Sequence, residues 1–365
     1  MHFTISRESL ISTLSRAAVA VATKATIPVL SCARFQVSDM QASITATDLE
    51  QQITETVEIT GHEPGDFLIP VVQVLDIAKR LPKGVEVDIR SSGNTAVTIK
   101  SGRYHTTLAV LDPSDFPEYA SGEYACTFTV SASGLKSAMQ AVQFAVSTEE
   151  SRYYLCGIHI HTDGDKLKFV ATDGHRLALS RIVKPEMTGE MPSGVILPRS
   201  TASNVLKMLD VSDTVRVSLN SSRARFEFGF CTLETKLVDG TFPEYNRVIP
   251  SGNQNKLTVS SDTLDATVQR VAAVSKEKSR PVKFSVGGDT LTLNCTHDGN
   301  TAEDVIDVAY EGEPLEIGFQ ARYIADVLTQ VRGNAICLFR DGSSPVLICD
   351  DANEDVRFIV MPMRV

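Results

Sequence analysis

The sequence predicts an α+β protein of three repeated domains, each with two helices packed on antiparallel sheets. Three observations lead there. The chain has 365 residues, two to three times the usual domain size. Four short landmarks recur along it in the same order, the signature of internal repetition. Between the helical stretches lie alternating apolar runs broken by turn residues, as antiparallel hairpins require. With 42% hydrophobic and 22% charged residues, the composition is that of an ordinary globular protein.

The first landmark is a short strand running through a serine into an amphipathic helix: Phe3-Thr4-Ile5-Ser6, Phe128-Thr129-Val130-Ser131 and Leu257-Thr258-Val259-Ser260. The helices that follow carry Leu10, Leu14 and Val21, then Leu135, Met139 and Val142, then Leu264, Val268 and Val271 on one face. The second landmark is Ala46-Thr47-Asp48, repeated as Ala171-Thr172-Asp173 and more weakly as Thr296-His297-Asp298. The third is Leu68-Ile69-Pro70 leading into a helix, matched by Ile196-Leu197-Pro198 and loosely by Gly318-Phe319-Gln320. The fourth, Phe116-Pro117-Glu118-Tyr119 against Phe242-Pro243-Glu244-Tyr245, precedes polar linkers at Ala120-Ser121-Gly122-Glu123 and Pro250-Ser251-Gly252-Asn253-Gln254-Asn255. Domains are therefore expected at 1–121, 122–251 and 252–365. Hairpins are expected around Ser91-Ser92-Gly93-Asn94, Asn220-Ser221-Ser222, Gly287-Gly288-Asp289 and Asp341-Gly342-Ser343.

Charge is unevenly placed. The formal net charge is −10, yet the six helical stretches with their flanks sum to +7 and leave −17 on the other 260 residues. Helices favour Lys and Arg on propensity alone, but recurrence through a threefold repeat is what a basic surface facing a polyanion needs. The candidate contacts are Lys24, Lys79, Arg80, Lys83, Arg152, Arg199, Lys276, Lys278 and Arg280, with Tyr153 and Tyr154 beside Arg152.

Signatures of catalysis are missing: there is no Gly-x-x-x-x-Gly-Lys, Gly-x-Gly-x-x-Gly, Gly-x-Ser-x-Gly or His-Glu-x-x-His. His159 and His161 share one face of an expected strand, which reads as a surface pair lacking a third metal ligand. In Thr172-Asp173-Gly174-His175-Arg176, Asp173 is expected to accept backbone N–H groups and Gly174 to take a left-handed conformation. The segment Gly174-His175-Arg176-Leu177 reads as extra to the second repeat. Seven scattered cysteines without a Cys-x-x-Cys pair indicate neither a disulfide framework nor a zinc site. No apolar run reaches the roughly 18 residues of a membrane helix, and Met1-His2-Phe3-Thr4-Ile5 is not a secretory leader, so a cytoplasmic location is expected.

With the repeats, Ala171-Thr172-Asp173-Gly174-His175-Arg176-Leu177-Ala178, Phe242-Pro243-Glu244-Tyr245 and the terminal Val360-Met361-Pro362-Met363-Arg364, the chain resembles the bacterial DNA polymerase III beta subunit family, the replicative sliding clamps. The resemblance implies the DNA-clamp fold, a head-to-tail homodimer closing six domains around duplex DNA, and no cofactor. The implied partners are the polymerase catalytic subunit, an ATP-driven clamp loader and other proteins carrying clamp-binding peptides. Geometry agrees. A domain of about 120 residues is roughly 35 Å across, so six in a ring leave a hole of about 35 Å and three leave about 5 Å. A duplex on the order of 20 Å wide passes only the larger, and a head-to-tail interface that closes at two subunits makes a ring.

The resemblance also implies a peptide-binding groove between the second and third domains, walled by Leu155, Thr172, Gly174, His175, Arg176, Leu177, Pro243, Arg247, Val248, Ile359, Val360, Met361, Pro362 and Met363. Methionine and aliphatic walls suit varied partners, while Arg176 and Arg247 are expected to hold peptide carbonyls or acidic side chains. Pro345 departs from the small hydroxylated residue usual at the rim. At the implied dimer edge, Glu303, Asp304 and Asp307 are expected to face Arg103 beside a reduced apolar patch at Ala273 and Val274. Two other readings stay open: a metal-dependent hydrolase using Asp173, His175, His159 and His161, and a peptide-binding adaptor that does not enclose DNA.

Overall fold

The computed structural model describes residues 2–21, 27–93, 95–119, 122–277 and 279–364, without the side chains of His62 and Ser92. Lys24 and Lys278, two of the expected DNA contacts, lie outside the described residues. Six α-helices occur among those described: α1 (Arg7–Ala17), α2 (Val71–Arg80), α3 (Ala132–Gln143), α4 (Arg199–Met208), α5 (Ser261–Ala272) and α6 (Ala321–Leu328). They fall two to each expected repeat.

Local chemistry explains where the helices begin. The strand His2–Ser6 buries Phe3 and Ile5 on one face, and Ser6 Oγ then accepts the Ser9 N–H at 3.0 Å to start α1. Ser260 Oγ accepts the Thr263 N–H in the same way at the start of α5. Helix α6 buries Ile324, Val327 and Leu328 along one stripe.

By compactness the chain forms two units, one of Met1–Ser133, Pro185–Pro192 and Ser203–Leu237, the other of Gly134–Lys184, Ser193–Ala202 and Val238–Val365. The second repeat is thus shared between them. The reason is visible in the sheets, which run continuously from one repeat into the next. In the first unit a nine-stranded sheet joins Cys231–Lys236 of the second repeat to Gln51–Glu58 of the first, pairing Cys231 with Glu55, Leu233 with Ile53 and Thr235 with Gln51. In the second unit another nine-stranded sheet joins Arg176–Val183 to Asn353–Val360 of the third repeat, pairing Arg176 with Val360, Ala178 with Phe358 and Ser180 with Val356. Each unit also holds a smaller sheet, of five strands ending at Tyr104–Ala109 in the first and of four strands ending at Asn300–Asp307 in the second. Packing is aromatic in the first unit, where Phe3, Phe35 and Phe67 lie within 5.4–6.2 Å of one another.

All four expected hairpins form, between Glu86–Ser92 and Ala96–Ser101, Thr214–Leu219 and Arg223–Phe228, Pro281–Gly287 and Thr290–His297, and Asn334–Phe339 and Val346–Asp350. One reading needs correction. Thr172 pairs with Leu177 as Thr47 pairs with Gln52 and Thr296 with Thr301, so the three turns are equally long. Gly174-His175-Arg176-Leu177 is a substituted turn and not an insertion. Its counterpart in the first repeat is Leu49-Glu50-Gln51-Gln52.

Candidate functional site

The site expected from the sequence lies wholly within the second compact unit. It starts with the turn between Lys166–Thr172 and Arg176–Val183. Asp173 Oδ1 accepts the backbone N–H groups of His175 and Arg176 at 2.9 and 3.0 Å, Thr172 Oγ1 donates to the Arg176 carbonyl, and Gly174 sits at φ +89°. This is the conformation expected for Asp173 and Gly174. Any larger residue at 174 is strained by its positive φ, and its Cβ, 2.7 Å from Arg152 Nη1, would also push that flexible guanidinium aside. In the first repeat Asp48 accepts from Glu50 and Gln51 in the same way, and Leu49 takes the left-handed position at φ +75°.

Next to this turn, the strand Asn353–Val360 carries the chain terminus into place. The Met361 N–H donates to the His175 carbonyl at 2.8 Å and the Met363 N–H to the Gly318 carbonyl at 2.9 Å. Beneath lies a buried apolar cluster of Leu155, Val170, Leu177, Leu179, Ile196, Phe242, Tyr245, Leu347 and Ile359, with Tyr154 packed against it. Leu155, Thr172, Leu177, Ile359 and Val360 are buried, at most 9% exposed, and so do not form accessible walls as expected from the sequence. The accessible rim is Gly174, His175, Pro243, Arg247, Val248 and Met361, with Pro362 and Met363 half-buried. Beside the tail a cleft of about 620 Å³ is lined by Lys283, Glu316, Ser343, Pro362, Met363 and Arg364, among others. Asn253 Nδ2 donates to the Pro345 carbonyl at 2.9 Å, fixing the loop that carries Pro345.

Arg176 does not have the role expected of it. It is 6% exposed, and its guanidinium donates to Asp173 Oδ2 at 3.1 Å, to Asp326 Oδ2 on α6 at 2.6 Å and to the Phe144 carbonyl at 2.9 Å. The rings of Phe144 and Tyr323 lie 5.0 and 4.7 Å from it. With those partners engaged it locks the turn to α6, leaving Arg247 as the rim's exposed arginine. Tyr323, unnoticed in the sequence, stacks on His175 at 6.0 Å. Helical spacing shows that Tyr323 and Asp326 share a face of α6, but nothing local says which turn that face meets.

The histidine pair is also corrected. His159 and His161 are half-buried, stacked on each other at 4.9 Å, with His159 on the Phe242 ring at 4.7 Å and His161 Nε2 2.8 Å from the Tyr245 hydroxyl. Burial, and then the charge of His161, push His159 down to about 4 from the usual 6.5. His159 thus stays neutral in the fold while the unfolded chain takes up a proton between about pH 6.5 and 4. Stability is present above that window and falls as pH drops through it, by about 3 kcal/mol. Urea unfolding at pH 7.0 and 4.5 is expected to show this loss in the wild type and a smaller one in His159→Phe; equal losses would reject the assignment. Among the described residues no group of three or more His, Cys, Asp and Glu is placed to hold a metal.

The expected DNA contacts are placed as follows. Lys79, Lys83, Arg199 and Lys276 are exposed on or just beyond helices, and Arg280 is exposed just before the strand Pro281–Gly287. Arg80 pairs with Asp76 one turn earlier, and Arg152 pairs with Glu149, which reduces the charge each offers. Tyr153 is 54% exposed, whereas Tyr154 packs against the buried apolar cluster. Of the expected dimer-edge residues, Arg103, Ala273, Glu303 and Asp307 are exposed and Val274 is half-buried. Asp304 is committed within its own domain to Arg270 at 2.5 Å.

Three family models match in sequence order: the DNA polymerase III beta subunit N-terminal domain over residues 1–120, the central domain over 129–244 and the C-terminal domain over 246–364. The chain belongs to the DNA polymerase III beta subunit family. It is 38% identical to a Caulobacter vibrioides protein named beta sliding clamp, over all of both chains. It is 34% identical to the Escherichia coli K12 protein of that name, again over all of both. Among solved structures it resembles the Bartonella birtlesii DnaN sliding clamp bound to griselimycin, with 37% identity, full coverage of both chains and a TM-score of 0.96. A Pseudomonas aeruginosa DnaN sliding clamp bound to griselimycin gives 34% identity, full coverage of both chains and a TM-score of 0.96. The three clamp domains of mixed helices and antiparallel sheets are the fold of this family.

Proposed function

We propose that the chain is a DNA sliding clamp, a non-catalytic processivity factor that closes as a head-to-tail homodimer around duplex DNA and tethers replication proteins. The observation that carries this is the full-length match, in order, of all three domain models, joined by relatives that are themselves named sliding clamps. Domains at 1–121, 122–251 and 252–365 place two helices in each. In the closed ring those helices and the segments that follow them turn Lys79, Arg80, Lys83, Arg199, Lys276 and Arg280 toward DNA. Attraction to phosphates from such residues is independent of sequence and screened by salt, so it permits sliding. Retention on circular but not on linear DNA tests enclosure.

Partners bind through short peptides in the groove whose floor is Leu155, Thr172, Leu177, Ile359 and Val360 and whose rim is Gly174, His175, Pro243, Arg247, Val248, Met361, Pro362 and Met363. Two relatives solved with griselimycin support a ligand site in this family. The polymerase catalytic subunit and the clamp loader are the expected occupants. Among the described residues no helix is long and apolar enough to cross a membrane.

Dimerisation is read directly by light scattering, with an expected mass of twice 39.6 kDa. The exposed acids Glu303 and Asp307 face Arg103 across the seam, and rim pairs of this kind contribute ~0.2–1 kcal/mol each and weaken with salt. With Ala273 and Val274 supplying little apolar contact, raising salt from 0.05 to 1 M is expected to increase the dimer dissociation constant. A constant that does not move would remove the electrostatic share.

A further inference from the structure

The turn that carries the groove's rim is held from behind by a latch that the first repeat also makes. Arg176, the first residue of its strand, donates to Asp173 of its own turn at 3.1 Å, to the Phe144 carbonyl just after α3 at 2.9 Å and to Asp326 on α6 at 2.6 Å. Gln51 is also the first residue of its strand. It donates to Asp48 of its own turn at 3.1 Å and to the Val19 carbonyl just after α1 at 3.3 Å, and its Oε1 accepts from Asn204 on α4 at 3.1 Å. Asn204 and Asp326 each stand six residues beyond the end of the preceding strand, at Pro198 and Gln320. Gln51 and Arg176 are 4% and 6% exposed, and polar groups so buried have to be paired. The first repeat meets that need with neutral amides, the second with an ion pair.

The two latches differ in what depends on them. In the first unit the residue before Gln51 is Glu50, whose carbonyl accepts the N–H of Lys236, itself part of a strand. That latch closes on chain already held in a sheet. In the second unit the residue before Arg176 is the exposed His175, whose carbonyl accepts the N–H of the exposed tail residue Met361 at 2.8 Å. The His175 ring stacks on Tyr323, which sits three residues before Asp326 on one face of α6 and lies 4.7 Å from the Arg176 guanidinium. Turn, tail and α6 therefore meet at the Arg176–Asp326 pair. Arg322 also approaches Asp326, at 3.5 Å, but its side chain is 75% exposed, and a pair so open to water contributes little.

We propose that Asp326 is a positioning residue of the peptide groove. It acts through Arg176: by holding that guanidinium it fixes His175, Tyr323 and the tail at the spacing in which a peptide meets them. A rim already in its bound arrangement loses less conformational freedom when the peptide arrives, so the latch raises affinity without adding a contact. Charge matters here because Arg176 is buried. With Asp326 neutralised the guanidinium keeps only the Asp173 carboxylate, and the link from the turn to α6 loses its charge-assisted bond. The proposal rests on the groove reading given above and names what pre-organises that groove.

The first repeat supplies the control. Under conditions where circular dichroism shows a folded protein, Asp326→Asn is expected to raise the Kd of a polymerase-derived clamp-binding peptide about tenfold by calorimetry. Hydrogen exchange of the Met361 amide is expected to speed up about fivefold in the same variant. Asp326→Glu, which keeps the charge and shifts it by one methylene, is expected to raise the Kd about threefold and serves if the Asn variant does not fold. Asn204→Ala breaks the other latch; it is expected to lower the thermal midpoint yet leave peptide affinity and Met361 exchange within about twofold of wild type, as for distant, independent sites. Adding Arg176→Gln to Asp326→Asn copies the Gln51–Asn204 pair into the second unit and is expected to return the Kd to within about threefold of wild type. Wild-type affinity in both Asp326 variants overturns the proposal. So does equal weakening by Asn204→Ala, because affinity would then only track stability. A wild-type protein that binds no such peptide overturns the groove reading itself, and the positioning role falls with it.

Discussion

Once loaded onto nicked circular DNA, the protein is expected to stay for a time at least a hundredfold longer than on a linear duplex of the same length with free ends. The cause is topological. Contacts from exposed Lys and Arg to phosphates are individually weak and lost as salt rises, so at 0.2 M salt only enclosure keeps the protein on a circle, while an open end releases it. Linearising the circle with a single-cut nuclease after loading is expected to free the bound protein within the time of one gel-filtration run. Equal retention before and after cutting would reject enclosure and favour an ordinary DNA-binding surface. Blocking both ends with bulky protein adducts is expected to restore retention, which separates sliding off from simple dissociation.

Removing Met361–Val365 is expected to weaken binding of a polymerase-derived clamp-binding peptide by two or more decades while leaving the dimer intact. The tail contributes the exposed Met361 side chain and two backbone bonds, to the His175 and Gly318 carbonyls, that hold Met361, Pro362 and Met363 in place. Loss of that apolar surface is worth a few kcal/mol, about two decades in affinity. Calorimetry on the truncated protein and light scattering on the same sample decide it. Unchanged peptide affinity places the site elsewhere; loss of the folded dimer shows that the tail belongs to the core. A charge at Leu177 would be a poorer test, because Leu177 is 3% exposed and an unpaired buried charge unfolds the floor instead of probing the rim. Met361→Glu asks the same question at an exposed position.

Much of the architecture was legible in the residues. Alternation at Phe3 and Ile5, the serine that opens α1, and the turn residues between paired strands are all local signals, and each reports a geometry set within a few residues by sterics and backbone hydrogen bonding. Asp173 and Gly174 were readable for the same reason. The histidine pair was misread because exposure is not local: His159 is covered by Phe242, brought over it from far along the chain.

What the sequence determined by itself is the threefold repetition, the two helices and hairpins of each repeat, and the family, because these depend on the order of residue types along the chain. Tertiary structure decided which members of the predicted site are accessible. Leu155, Leu177 and Ile359 became floor, and Arg176 became a lock, because Asp326 and Tyr323, some 150 residues away, arrive on α6 and claim its guanidinium. A guanidinium is neutralised by whichever carboxylate the fold carries to it, and local patterning around Arg176 holds no record of a helix that packs against it from the next repeat.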